Sequence, residues 1–418
     1  MFGKKKADAL VVGAGPVGLL TALTLARRGV KVRIIDEAWR PAAHAYALAL
    51  HPQALALLAE LEVAGPILNE AYRVGGLALY AGAERKAQLK LGEGGEYPLV
   101  PVFRQSLLED LLAKALAKHK VKVEWNHRMA RMMPKADHVE VTINKLDKES
   151  SGYAVSHTGW VVQNSKDFEV PYVIGTDGHR SLVRRRLGVD FPEVGHAQHF
   201  AVFEFTTDYD LEHEMRIVLN ESDSNVVWPL PDGRVRWSFE LSNYDHPDDI
   251  RTKNRLTIEL GMDKYPMLEE SHLRELLAHR APWFTGKIEE IKWRLVVRFE
   301  RRLTDAFGKG RVWLAGDAGH MTSPVGVQSM NIGMREAHTL ANLVADSLAG
   351  KAGATKALQA YDSDRLKEWR AHFGITGGAT AGSDTPGWLV PYAGELSRAL
   401  PASGEPLAAL LAQVGVKA

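Results

Sequence analysis

The stretch Ala9 to Glu37 admits few folds. Ala9 to Val12 is a short apolar run of strand type, and it leads directly into Gly13-Ala14-Gly15-Pro16-Val17-Gly18, a G-x-G-x-x-G turn. Leu19, Leu20, Leu23 and Ala26 then recur at helical spacing, and Gly29 ends the helix. Lys31 to Ile35 alternates as a second strand and closes on Asp36-Glu37, with Asp36 18 residues beyond Gly18. Strand, glycine turn, helix, strand and acid in this order fit a dinucleotide-binding unit. The glycines allow a tight turn and close approach of a pyrophosphate to the helix N-terminus, and the acid can take two ribose hydroxyls. Asp36 suits that role better than Glu37 because it directly ends the strand. The bland alternative is a Rossmann turn without a phosphate, and the full context weighs against it.

A second stretch, Arg311 to Leu348, predicts a strand from Val312 to Ala315, a loop rich in Gly and Pro, and a helix from about Asn331. Ala337, Leu340, Ala341, Val344 and Leu348 share one helical face. The loop gathers Gly316, Gly319, Pro324, Gly326 and Gly333 around one acid, Asp317. Small residues before a helix start let backbone approach a ligand closely, and the first helical N–H groups favour negative charge. Alone, the stretch reads equally well as an ordinary connection or as a cofactor cradle.

Between these stretches the pattern mixes helices and strands. Pro52 opens a helix through Leu55, Leu58 and Leu61, and short strands and turns follow over 72–103. Ser106 and Glu109 have capping-box spacing at the start of a helix faced by Leu107, Leu108, Leu111, Leu112 and Leu116, with Arg104 just before it. Residues 138–170 read as a ribbon, and Tyr172 to Gly178 is a strand that ends in Asp177 and a glycine. Sheet-type alternation runs from His199 to Leu241, with Pro231-Asp232-Gly233 as a hairpin turn. Residues 248–281 read as helical, Lys292 to Phe299 as a strand, and the part from Tyr361 as helices broken by glycines and prolines.

Composition narrows the class. At 418 residues, two intimately packed domains are expected, and 45% hydrophobic with 25% charged residues is ordinary for a soluble globular enzyme. A net charge of +1 argues against a dedicated nucleic-acid binder. With no cysteine there are no disulfides, thiolate metal sites or thiol catalysis, and no metal site is expected. No segment reaches the ~20 apolar residues of a membrane span, and the N-terminus lacks the apolar region of a signal peptide. The expected location is the cytoplasm. Monomer or homodimer is not readable.

GAGPVG with its terminal acid (13–36), IGTDGHRSLVR (174–184) and LAGDAGHMTSPVGVQSMN (314–331) occur in an order and spacing that resemble the class A flavoprotein monooxygenases of the para-hydroxybenzoate hydroxylase type. The resemblance covers nearly the whole chain to about residue 375. It implies an α/β fold in which a Rossmann-like FAD-binding domain (1–72, 98–182 and 300–375) is interleaved with a substrate-binding β-sheet domain (73–97 and 183–299), followed by a C-terminal helical segment (376–418). It assigns Gly13, Gly15, Pro16 and Gly18 to the FAD pyrophosphate, Asp36 with Glu37 beside it to the adenosine ribose, and Arg104 to the phosphate–ribitol region. Asp177 would lie near the pyrophosphate and also serve the nicotinamide cofactor. Gly316 and Asp317 would hold the ribitol, and Gly326, Val327, Gln328, Ser329, Met330 and Asn331 would border the flavin ring.

The implied reaction uses FAD, NADPH or NADH, and O2 to hydroxylate or epoxidise an aromatic or polyketide-like small molecule through a flavin C4a-hydroperoxide. Pro324, Gly326 and Asn331 would position the reacting flavin face, with no side-chain base; His320 reads as structural. The substrate candidates are Phe203, Phe205, Trp228, Pro229, Arg236 and Trp237, each also readable as plain sheet core. Where the family has a glycine pair before the glutamine and a glycine after it, this chain has Val327 and Ser329, whose Cβ atoms narrow the flavin pocket or restrict its swing. His44 stands where many relatives carry an arginine. A flavin-dependent halogenase is disfavoured because no W-x-W-x-I-P motif occurs. A reductase or cyclase on the same scaffold, or a non-catalytic FAD-binding protein, would keep all three motifs.

Overall fold

An apolar run without alternation belongs in a sheet covered on both faces, and Ala9–Val12 lies at the heart of one. The computed structural model describes residues 7–39, 48–92, 97–151, 157–220, 223–242 and 266–418. His44 and the first part of the helix expected over 248–281 lie outside the described residues. A six-stranded sheet runs Gly308–Lys309, Val312–Leu314, Tyr172–Gly175, Ala9–Val12, Val32–Ile35, Val123–Glu124. It is parallel except for its first strand. The helices Pro16–Arg27, Gln105–Lys118 and Gln328–Leu348 bury one face, where Val11, Ile34 and Ile174 meet Leu23, Leu112 and Leu340. A three-stranded ribbon, His127–Pro134, Val139–Ser151 and His157–Val170, closes the other face through Met129, Val141 and Phe168.

The second sheet has seven strands in the order Glu290–Phe299, Gln198–Thr206, Arg234–Glu240, Ser224–Leu230, Glu214–Leu219, Gly76–Ala81, Glu84–Lys90. Asp232 and Gly233 both take left-handed backbone (φ 64° and 65°) and close the expected hairpin. The period-2 alternation sorts its side chains onto two faces. Phe200, Val202, Trp228 and Leu295 meet Val325, Val327 and the C-terminal Leu389, Leu396 and Leu400. Phe203, Phe205, Trp237 and Phe239 lie on the reverse face under the helix Glu270–Arg280. That corrects the grouping of Phe203, Phe205 and Trp237 with the substrate candidates: odd-numbered positions of the Gln198–Thr206 strand face away from the loop that carries Pro324.

Two helix starts also differ from expectation. Helix Gln328–Leu348 begins three residues before Asn331, because Val327 (φ 51°) turns the chain and nothing in Gln328-Ser329-Met330 breaks a helix. The capping box does not form: Arg104 takes the N-cap position, Ser106 falls inside the helix, and Glu109 accepts from Gln105 Nε2 at 2.7 Å. After the helix Ala354–His372, the chain returns through Ala393–Ala399 and Gly404–Ala412 to pack against the second sheet. Among the described residues, no helix is long and apolar enough to cross a membrane. The face assignment predicts that Phe203→Ala lowers stability by about 3–5 kcal/mol in chemical denaturation, while ligand binding at the loop on the opposite face is unchanged after correction for the folded fraction.

Candidate active site

The three motifs meet at one end of the parallel sheet. Gly13 has φ +102°, and a Cβ there would stand 2.3 Å from the Thr176 carbonyl; one at Gly18 would stand 2.0 Å from the Gly13 carbonyl. These glycines serve close packing of the chain on itself. Gly15 differs, since a Cβ there would meet nothing within 4 Å. It caps the Pro16–Arg27 helix without a side-chain acceptor, no acid lies in the first turn, and Pro16 occupies the first helical position. Uncapped N–H groups facing open space make an anion cradle. Asp36 braces this turn, accepting from Ala14 N at 2.7 Å and Ala38 N at 2.8 Å. Each carboxylate oxygen keeps a second lone-pair site for a hydroxyl. Glu37 is exposed, as is Arg104.

The middle motif is tied to both neighbours. Thr176 Oγ1 donates toward the carbonyls of Val12 (2.9 Å) and Gly13 (3.1 Å). Asp177 turns its carboxylate inward, where Ser181 Oγ (2.5 Å) and the N–H groups of Leu182 (2.6 Å) and Val183 (3.1 Å) donate to it. Its side chain holds the short helix Leu182–Leu187. Arg184 donates to Ala318 O at 2.7 Å and stacks on Phe191, its guanidinium 3.8 Å from the ring centre. The third motif therefore rests on the second.

Gly316 and Gly333 leave just enough room for Val17 of the first helix; a Cβ on either would come within about 3.0 Å of it. The turn Gly316–Ala318 and the helix Gln328–Leu348 are thereby brought beside the helix capped by Gly15. Asp317 is exposed and accepts from Ser329 Oγ at 2.6 Å. His320 is fully buried, with Nε2 2.9 Å from Glu336 Oε2 and its ring stacked on Trp369 at 3.8 Å. Glu336 also accepts from Gly316 N (2.9 Å) and Trp369 Nε1 (2.7 Å). Burial alone would raise this carboxyl, but His320 and the donated hydrogen bonds outweigh it and hold it below the usual range. His320 is thus structural in this geometry.

The Pro324–Asn331 loop is clamped from two sides. Trp228 Nε1 donates to Val325 O at 3.3 Å. A Cβ on Gly326 would stand 2.6 Å from Arg398 O, so glycine is needed here for the C-terminal segment. Gln328, expected at the flavin edge, sends its side chain the other way: Nε2 donates to the carbonyls of Ser397 (2.8 Å), Leu400 (3.0 Å) and Ala402 (3.3 Å). Asn331 likewise serves structure, donating to Ala49 O (3.0 Å) and Val327 O (2.7 Å) and accepting from His51 N (2.8 Å). Pro324 and Met330 stay half-buried. Of the substrate candidates, Trp228 and Arg236 share the face toward the loop, while Pro229 alternates to the other. Arg236 is neutralised by Glu204 at 2.9 Å, which also binds Arg234 at 2.9 Å. Glu204, Glu336 and His51 carry no sequence signal, because each matters through a partner distant in the chain. Among the described residues no group of acids and histidines is set to hold a metal.

His51 gives a pH signature. Its Nε2 lies 2.8 Å from Gly326 O, so Nε2 donates and Nδ1, buried without a partner among the described residues, carries no proton. Burial lowers its pKa from 6.5 to about 3. A folded pKa below the unfolded one adds stability that is full above pH 6.5 and fades as pH falls toward 3. By linkage His51 should cost about 2 kcal/mol between pH 7 and pH 5. Denaturation curves at the two pH values should therefore differ less in His51→Asn than in the wild type.

Comparison with known proteins follows the same lines. Residues 6–372 match the family described as FAD binding domain. The chain is 28% identical over 366 residues to 6-methylpretetramide 4-monooxygenase of Streptomyces rimosus, covering 85% of this chain and 58% of that protein. It is 25% identical over 349 residues to pentachlorophenol 4-monooxygenase of Sphingobium chlorophenolicum, covering 80% and 58%. The chain thus spans less than two thirds of the length of these relatives. Among solved structures, p-nitrophenol 4-monooxygenase PnpA from Pseudomonas putida superposes with a TM-score of 0.70 at 21% identity, covering 99% of this chain and 95% of that one. The Diels-Alderase PyrE3 shares the fold with a TM-score of 0.63 at 20% identity, covering 88% and 72%.

Proposed function

We propose that this chain, which belongs to the FAD binding domain family of the class A flavoprotein monooxygenases, uses FAD, a reduced nicotinamide dinucleotide and dioxygen to hydroxylate or epoxidise an aromatic or polyketide-like small molecule. The observation that carries the reading is the open, uncapped turn at Gly15, beside which Val17 packs against Gly316 and Gly333, the glycines that flank the exposed Asp317 in the turn and the helix after it. A cradle that a Cβ would fill and an acid free to take hydroxyls fit a dinucleotide with a ribityl chain. Bound FAD would supply hydride acceptance and the transfer of one oxygen atom from dioxygen.

The chain's own part is binding, orientation and dryness. Backbone of Gly13, Gly15, Pro16 and Gly18 would hold the pyrophosphate, Asp36 with Glu37 nearby the ribose, and Arg104 the phosphate–ribitol region. Asp177 would contribute its backbone, and Gly316 with Asp317 would hold the ribitol. The first-turn N–H groups of the helix from Gln328, which lack a side-chain cap, would stabilise negative charge on the ring. Pro324 and Gly326 would border its reacting face. Apolar side chains around Trp228, Val325 and Leu400 would exclude water. We read 1–72, 98–182 and 300–375 as the cofactor part and 73–97 with 183–299 as the substrate part.

Purified protein should be yellow, with the absorption of oxidised flavin, or should become so on adding FAD. Gly15→Trp and Asp317→Ala should each weaken FAD binding at least tenfold, about 1.4 kcal/mol. With a phenolic panel, labelled oxygen from dioxygen should appear in product. Flavin reduction with product formation but no label would identify a reductase or cyclase instead, and bound flavin that no nicotinamide reduces would identify a non-catalytic binder.

A further inference from the structure

Ser329 occupies a position where the family resemblance leads one to expect no side chain at all, and its hydroxyl points at Asp317, the exposed acid of the third motif. The Ser329 Oγ–Asp317 Oδ1 distance of 2.6 Å is that of a charge-assisted hydrogen bond, with the hydroxyl donating, since an ionised carboxylate only accepts. On its other side Ser329 Oγ lies 3.4 Å from His320 Nδ1. The hydroxyl proton being given to Asp317, the 3.4 Å contact to His320 Nδ1 is a secondary one, and the short bond is the one to the acid.

Asp317 by itself has no reason to hold one rotamer. It lies in a one-turn segment, and among the described residues its Oδ2 makes no hydrogen bond. Ser329 sits on the second residue of a 21-residue helix whose Ile332, Met334 and Glu336 are buried in the core. A bond from a rigid hydroxyl to one carboxylate oxygen fixes the plane of the acid and leaves the other oxygen for a ligand. Pre-organisation of this kind adds affinity by removing an ordering cost that binding would otherwise carry.

We infer that Ser329 is a positioning residue for the cofactor site: from the first turn of its helix it fixes the carboxylate of Asp317 so that the other oxygen of the acid is presented to a ribityl hydroxyl of FAD. The inference rests on the reading of Asp317 as a ribitol ligand. It gives the departure from glycine a role in holding the cofactor, in place of a merely narrowed pocket.

The test is FAD affinity, read by flavin fluorescence on titrating apoprotein, with thermal unfolding to establish that each variant is folded. Ser329→Ala and Ser329→Gly should each bind FAD about tenfold more weakly than wild type. Ser329→Thr, which keeps the hydroxyl, should stay within twofold of wild type. In an Asp317→Ala background, Ser329→Ala should cause no further loss, because the hydroxyl then has no acid to orient. Wild-type affinity in Ser329→Ala, failure of Thr to preserve binding, or an equal loss with and without Asp317 would each overturn the inference. The underlying reading fails differently: Asp317→Ala and Gly15→Trp would then bind FAD as tightly as wild type.

Discussion

The buried carboxylate of Glu336 is the fixed point of this site. An ionised acid out of water is tolerated only when its lone pairs are met by donors. Gly316 N comes from the turn that carries Asp317, His320 from the segment after it, and Trp369 Nε1 from the next helix, whereas Glu336 itself belongs to the helix that begins at Gln328. One side chain therefore sets the distance between the exposed acid and the helix terminus beside it. Stacking of His320 on Trp369 fills the remaining space, so the loop above has a rigid floor.

A second constraint acts on that loop from above. Trp228 reaches it from the seven-stranded sheet, and the carbonyls of the C-terminal segment receive the amide of Gln328. The left-handed backbone at Val327, unusual for a β-branched residue, is held between these supports and by Asn331 Nδ2 on its carbonyl. Residues expected at the ring edge thus act by shaping backbone. Gln328 and Asn331 turn their side chains inward, while the first turn of the helix they belong to has no side-chain cap. The last forty or so residues, which the family motifs do not reach, become part of the wall of the site.

The glycines of the three motifs divide by purpose. Gly13, Gly18, Gly316 and Gly333 are small because other parts of this chain press against them, and Gly326 because the C-terminal backbone does. Gly15 and Gly178 instead face open space among the described residues; the positive φ of Gly178 (71°) gives it a backbone reason to be glycine, whereas at Gly15 a side chain would obstruct a ligand instead of the fold. The pattern of glycines is visible in the sequence, but this division is not.

The sequence by itself determined the parallel α/β core, the order of the three motifs and the acid in each, because strand and helix periodicity and turn chemistry are local. It also located the hairpin at Asp232-Gly233 and the sheet-type alternation around it. It did not reveal that Phe203 and Phe205 face away from Pro324 while Trp228 faces toward it, since alternation fixes which residues share a face but not what covers that face. Nor did it show the inward turn of Asp177, the tether from Gln328 or the Glu336 hub. Each depends on a partner brought near by packing of distant segments, and only the tertiary structure decides which donors a buried polar group meets.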